Sequence, residues 1–112
     1  MAVTIYHNPK CSKSRETLAL LQDKGISPQV VEYLKTPPSA AELTEIIAKL
    51  GIAPKELLRK KEAAEAGVDP SLPSDALIAA MVANPQVIER PIVVKDGKAR
   101  LGRPPEQVLE IL

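Results

Sequence analysis

Ala2-Val3-Thr4-Ile5-Tyr6-His7-Asn8-Pro9-Lys10-Cys11-Ser12-Lys13-Ser14 is the stretch on which the fold turns. Its first five residues are rich in β-branched side chains and run into His7-Asn8-Pro9, a turn-forming cluster. They read as a short buried strand. From Cys11 the pattern becomes helical: Leu18 and Leu21, flanked by Ala19 and Leu20, supply an apolar face. Gly25 ends the helix, as glycine commonly does just past a helix C-terminus. Residues 28–33 then carry Val30 and Val31, a second strand. Strand, helix and strand in this order predict a right-handed parallel unit.

Further along, Thr36-Pro37-Pro38 breaks the chain. Ser39-x-x-Glu42 follows as a capping box, in which each side chain satisfies an N–H left open at the helix start. Leu43, Ile46, Ile47 and Leu50 recur at helical spacing and define one buried stripe, closed by Gly51. Pro54 suits the first turn of a short helix carrying Leu57 and Leu58. Ser74 or Asp75 is the expected cap of another, with Leu77, Ile78, Met81 and Val82. After Asn84-Pro85, the run Arg90-Pro91-Ile92-Val93-Val94 meets Lys98-Ala99-Arg100-Leu101 across Asp96-Gly97, a strong hairpin signal. Pro104-Pro105 open a last helix expected to turn Val108, Leu109, Ile111 and Leu112 inward. The fold class is α/β, with one mixed sheet fed by the parallel unit and the antiparallel hairpin and covered by helices.

Composition narrows the function. The chain has 112 residues, 45% of them hydrophobic, enough for one domain that buries roughly two-thirds of its unfolded surface. One cysteine excludes an internal disulfide, and one cysteine with one histidine makes a structural zinc site untenable. Fifteen basic and fourteen acidic residues leave a formal charge of +1, which disfavours broad binding to nucleic acid. Tyr6 and Tyr33 are the sole aromatic residues, too few for a base-stacking platform. No apolar run approaches the length of a transmembrane helix, and no signal peptide is expected. A soluble cytoplasmic domain with one thiol is the expectation.

That thiol stands at a helix start, where unpaired N–H groups and the helix dipole favour an anion. Lys10, Lys13 and Arg15 add positive charge nearby, and Asn8 and the Ser14 hydroxyl are candidate hydrogen-bond donors to the sulfur. Thiols so placed fall from about 8.5 into the range of roughly 3.5–7.5. The competing reading is a buried, inert cysteine; the position favours a reactive one. Cys11-Ser12-Lys13-Ser14 is C-x-x-S, so no disulfide can close within the motif, and Thr17 stands where a C-x5-R phosphatase loop needs arginine. His7 is either an acid or base near the thiol or a loop histidine bonded to backbone. Arg59, Arg90 and Arg103 lie beside apolar or proline-fixed segments, and guanidinium suits forked hydrogen bonding of a tetrahedral oxyanion. Spacing does not show whether they converge.

The strings Ile5-Tyr6-His7-Asn8-Pro9-Lys10-Cys11-Ser12-Lys13-Ser14-Arg15, Tyr33-Leu34-x-x-Pro37-Pro38, Leu57-Leu58-Arg59-Lys60, Arg90-Pro91-Ile92-Val93-Val94 and Leu101-Gly102-Arg103-Pro104 together resemble the ArsC-type arsenate reductase family, in particular its short members. The resemblance runs from the first strand to the last helix. It implies a thioredoxin-like (glutaredoxin-like) four-stranded sheet, β-α-β then β-β-α, in one domain spanning 1–112 with a helical insertion at about 39–86. It implies Cys11 as nucleophile and His7, Asn8, Ser14 and Arg15 as the residues that shape the loop and activate the thiolate. Arg59, Arg90 and Arg103 would hold the oxyanion, and Arg90-Pro91 would be a cis peptide bond beside the site. The implied reaction reduces arsenate to arsenite, with glutathione as co-substrate, glutaredoxin as partner and no bound cofactor or metal. Two other readings stand beside it: a glutathione-linked thiol-transfer protein, and a regulatory binding module like the Spx proteins, which typically carry C-x-x-C.

Overall fold

The computed structural model describes residues 2–112. The fold divides into two compact units, one formed by the chain through Thr36 together with Arg90–Leu112, the other by Pro37–Glu89.

In the first unit, Val3–His7 forms β1, Ser12–Asp23 α1, Gln29–Glu32 β2, Ile92–Lys95 β3 and Lys98–Leu101 β4. The strands form one sheet in the order β2-β1-β3-β4. β1 pairs parallel with β2, with Ile5 opposite Val30, and antiparallel with β3, with Ile5 opposite Val93. Alternation along β1 buries Val3, Ile5 and His7 on one side. Val3, Ile5, Leu21, Val93, Val108 and Ile111 form one core cluster, with Leu18, Leu20, Ile26 and Leu112 packed on it. Each fully buried aliphatic side chain in it contributes about 1.5–3 kcal/mol. The α1 helix and the C-terminal segment therefore cover the same face of the sheet.

The hairpin between β3 and β4 closes at Lys95 opposite Lys98. Asp96 adopts φ 56°, a left-handed conformation that aspartate tolerates better than most side chains. Pro105–Ile111 departs from the expected α-helix and winds as a 3-10 helix. Its three-residue repeat stacks Pro105, Val108 and Ile111 on the buried side. Leu109, expected inward, is 36% exposed for the same reason.

The second unit contains α2 (Ala40–Leu50), α3 (Lys60–Ala66), α4 (Ser74–Ala83) and 3-10 turns at Pro54–Leu57 and Pro85–Val87. The capping box forms as its sequence predicts: Ser39 Oγ accepts from Glu42 N–H at 3.1 Å, and Glu42 Oε1 accepts from Ser39 N–H at 3.0 Å. Leu43, Ile46 and Ile47 are the buried stripe of α2, which ends at Gly51 in the left-handed conformation. Neither Ser74 nor Asp75 caps α4. Pro73 holds the cap position without a side-chain bond, Ser74 is already helical, and Asp75 sits in the first turn, where its charge suits the helix dipole. Leu58 and Ile88 form an isolated antiparallel bridge, flanked by Arg59 N–H to Val87 O and Glu89 N–H to Leu57 O, each 2.7 Å. This bridge fixes the backbone at Arg59.

Candidate active site

Cys11 occupies the cap position of α1 with an extended backbone, φ −94° and ψ 124°. Its thiol is free and half-buried. The preceding loop is tied by short-range bonds: Cys11 N–H donates to Asn8 O at 3.0 Å, and Lys10 N–H to Asn8 Oδ1 at 3.0 Å. Arg15 Nη1 donates to Pro9 O at 3.0 Å. Ser14, wholly buried, lies with Oγ 2.7 Å from His7 Nδ1 and accepts from Asn8 N–H at 3.0 Å. A single hydroxyl thus joins the end of β1, the loop and the first turn of α1.

These bonds assign different tasks from those the sequence suggested. The Ser14 hydroxyl is engaged with His7 and Asn8, and it is the Ser14 backbone N–H that serves the sulfur. Burial pushes the Cys11 thiol up; the N–H of Ser14, the Arg90 guanidinium and the N–H of Lys13 together outweigh it, and the thiol lies below its ordinary value. Lys13 and Ser14 are the second and third residues of α1, whose N–H groups have no acceptor within the helix. The cation at the sulfur comes from Arg90 beside β3 rather than from Lys10 or Lys13, and the Lys13 ammonium pairs instead with Glu16 at 3.6 Å. His7 is also held below its ordinary 6.5, chiefly by burial, with Glu32 opposing and Arg15 assisting. It is therefore neutral at physiological pH.

The hairpin register explains how two of the arginines meet. Ile92 faces Leu101, and the pairing continues outward through Gly102 N–H to Pro91 O at 2.9 Å. Arg90 and Arg103 are thereby neighbours, and Arg103 Nη1 donates to Arg90 O at 3.1 Å. Both arginines precede prolines, and both bonds, Arg90-Pro91 and Arg103-Pro104, are cis. The second was not anticipated.

Arg59 belongs to the helical unit, at the cap position of α3. Its Nε lies 3.1 Å from Glu62 Oε2 and its Nη1 2.9 Å from Glu89 Oε1. It is thus held by two carboxylates rather than being a solvated surface charge. Nothing in the local string Arg59-Lys60-Lys61 marks Glu89 as its partner.

The ArsC family profile matches residues 6–111. The chain belongs to the ArsC family. It is 57% identical to "Uncharacterized protein YfgD" of Escherichia coli K12, over 98% of this chain and 96% of that protein. It is 50% identical to an arsenate reductase of Rhizobium meliloti, over 100% of this chain and 82% of that one. Among solved structures, an arsenate reductase from Vibrio cholerae superposes with a TM-score of 0.92 at 57% identity, covering 100% of this chain and 98% of that one. Family membership accords with the mixed four-stranded sheet and with a thioredoxin-like fold. No group of three or more His, Cys, Asp or Glu among the described residues is placed to hold a metal ion, and no helix among them is long and apolar enough to cross a membrane.

Proposed function

We propose that this chain is an arsenate reductase in which Cys11 is the nucleophile. The observation that carries the reading is the placement of one free thiol at the start of α1, with its pKa lowered by two helix N–H groups and by Arg90. A thiolate formed in this way is both a nucleophile and a center of negative charge. An incoming arsenate is also an anion, so cations are needed beside the sulfur. Arg90 and Arg103, whose Nη1 donates to the Arg90 carbonyl, take that role. Arg59 is assigned to the oxyanion by its Leu57-Leu58-Arg59-Lys60 motif. His7, Asn8, Ser14 and Arg15 act one step back, by holding the loop that presents the thiolate.

The reaction follows from having one thiol. Cys11 sulfur displaces an oxygen from arsenate, which leaves as water after protonation, and an S–As(V) bond forms. The thiol of glutathione attacks this adduct. As arsenic accepts two electrons and leaves as arsenite, the two sulfurs are joined in a Cys11–glutathione disulfide. Glutaredoxin takes the glutathione sulfur and regenerates the Cys11 thiolate. The second thiol and the thiol that regenerates Cys11 come from other molecules, because the chain has one cysteine and Ser14 stands where a C-x-x-C partner would be. We take the chain as one catalytic domain with a helical insertion, working in the glutathione-rich cytoplasm.

The test is a coupled assay with arsenate, glutathione, glutaredoxin and an NADPH-consuming reductase, run beside Cys11→Ser, Arg59→Ala, Arg90→Ala and Arg103→Ala. Arsenate-dependent NADPH oxidation is expected for the wild type, none for Cys11→Ser, and reduced kcat/KM for the arginine variants. Turnover independent of arsenate would instead favour thiol transfer. A wild-type rate no higher than that of Cys11→Ser would remove the proposal.

A further inference from the structure

Between the helix that starts at Cys11 and the backbone that carries Arg90 and Arg103 lies a contact that none of the three makes. Thr17 lies on α1 and is wholly buried, and its hydroxyl is satisfied inside the helix by donating to Lys13 O at 2.7 Å. Opposite it lies Gly102, whose backbone is not in the left-handed region, so its φ would admit a side chain. Space would not. A Cβ at Gly102 would overlap Thr17 Oγ1, lie 2.7 Å from Pro91 Cγ and 3.1 Å from Thr17 Cγ2. Ordinary contact begins at 3.4 Å, so the Cα of Gly102 is seated directly between α1 and Pro91.

The neighbours of this contact carry the chemistry. Gly102 precedes Arg103, Pro91 follows Arg90, and Gly102 N–H bonds Pro91 O at 2.9 Å. Thr17 is on the helix whose first N–H groups face the Cys11 sulfur. We propose that Thr17 and Gly102 form a spacer that sets the distance between the Cys11 end of α1 and the Arg90–Arg103 pair, making both of them positioning residues. This rests on the reading of Cys11, Arg90 and Arg103 given above and adds what fixes their geometry. A methyl group at position 102 must push both Thr17 on α1 and Pro91 aside, Pro91 by about 0.7 Å to reach ordinary contact. These movements change the separation between the Cys11 end of α1 and the backbone that carries Arg90 and Arg103. Thr17 fits the role because its hydroxyl and methyl both face Gly102 while its polar atom needs no partner outside the helix.

Gly102→Ala, Thr17→Ala and the double variant are compared in the full chain by two readouts. One is the pH dependence of Cys11 alkylation; the other is kcat and KM for arsenate in the coupled assay. Misplacement of reacting groups by 1 Å can cost about a hundredfold, so Gly102→Ala is expected to raise KM for arsenate roughly tenfold, with a smaller change in kcat. Its alkylation midpoint should move up. The double variant, which removes Thr17 Oγ1 and Cγ2 from the path of the new methyl, should move back toward the wild type in both readouts. A Gly102→Ala protein with a lower melting temperature but wild-type midpoint and KM would overturn the proposal, and so would losses that add in the double variant. If Gly102→Ala does not fold, Thr17→Ala decides, because a spacer missing two atoms must shift the midpoint. The alkylation readout needs no arsenate, so a chain that reduces no arsenate still tests the spacer, whereas a wild type active on arsenate with unaffected variants rejects the spacer and keeps the reductase.

Discussion

Arg59→Ala is expected to destabilise the protein as well as impair it, and the two effects can be measured apart. The Arg59 side chain is 20% exposed, and its carboxylate partners Glu62 and Glu89 are 24% and 23% exposed, at 3.1 and 2.9 Å. At an effective dielectric constant near 20, each pair attracts by about 5–6 kcal/mol before desolvation is counted. Removing one partner of a fully buried pair costs about 3–5 kcal/mol, whereas exposed pairs contribute about 0–1 kcal/mol. Groups that remain a fifth to a quarter exposed fall between these limits, so the expected loss is about 2–3 kcal/mol. Urea unfolding followed by circular dichroism reads it directly. With a slope of about 1–3 kcal/mol/M, the midpoint should fall by roughly 0.7–3 M. Glu89→Gln in the Arg59→Ala background should return part of the loss, because the stranded carboxylate is what makes the single variant costly; the coupling should be about 1 kcal/mol. A midpoint within error of the wild type, or a loss that Glu89→Gln leaves unchanged, would refute the view that this arginine is held by a partly buried double ion pair.

Other consequences follow from single contacts. Ser39→Ala removes the acceptor for Glu42 N–H and should lower stability by about 0.5–2 kcal/mol; an unchanged melting temperature would mean that the capping box contributes nothing. Arg90→Ala should move the pH midpoint of Cys11 alkylation upward, since Arg90 is among the groups that lower the thiol; an unmoved midpoint would leave the helix N–H groups to act by themselves. Burial holds His7 below 6.5 in the folded chain, so the unfolded chain binds more protons in that interval. Stability should therefore fall as pH drops through 6.5 toward the folded value. Unfolding curves across that range should flatten in His7→Gln, and identical slopes in both proteins would contradict the assignment.

Features with local causes were legible in the sequence. The β-branched run of β1, the period of α1, the capping box at Ser39 and the Asp96-Gly97 turn each depend on a few adjacent residues, and each forms where the sequence places it. Cys11 at the start of α1 belongs to the same class. Long-range partners were not legible. The cation at the sulfur comes from Arg90, far along the chain, because sheet pairing outranks proximity to Lys10 and Lys13. Glu89 finds Arg59 through a backbone bridge at Leu58 and Ile88 that no periodicity announces. The Ser14 hydroxyl, free in sequence to serve the thiol, is drawn to His7 Nδ1 because both are buried and each needs a partner. The C-terminal segment was misread because an apolar pattern over seven residues fits a three-residue repeat as well as a longer one. Arg90 and Arg103 form an intermediate case: counting outward from the Asp96-Gly97 turn pairs Pro91 with Gly102 and Arg90 with Arg103.

The central claim is that the one thiol of this chain starts the reduction and that an external thiol completes it. Incubating the protein with arsenate and glutathione, with glutaredoxin left out, and weighing the intact chain tests this most directly. Glutathione should appear on the wild-type chain at Cys11 only when arsenate is present, with one equivalent of arsenite released for each glutathione gained, and it should be removed on adding glutaredoxin. An unmodified chain that still yields arsenite, or a Cys11→Ser chain that yields as much arsenite as the wild type, would contradict it.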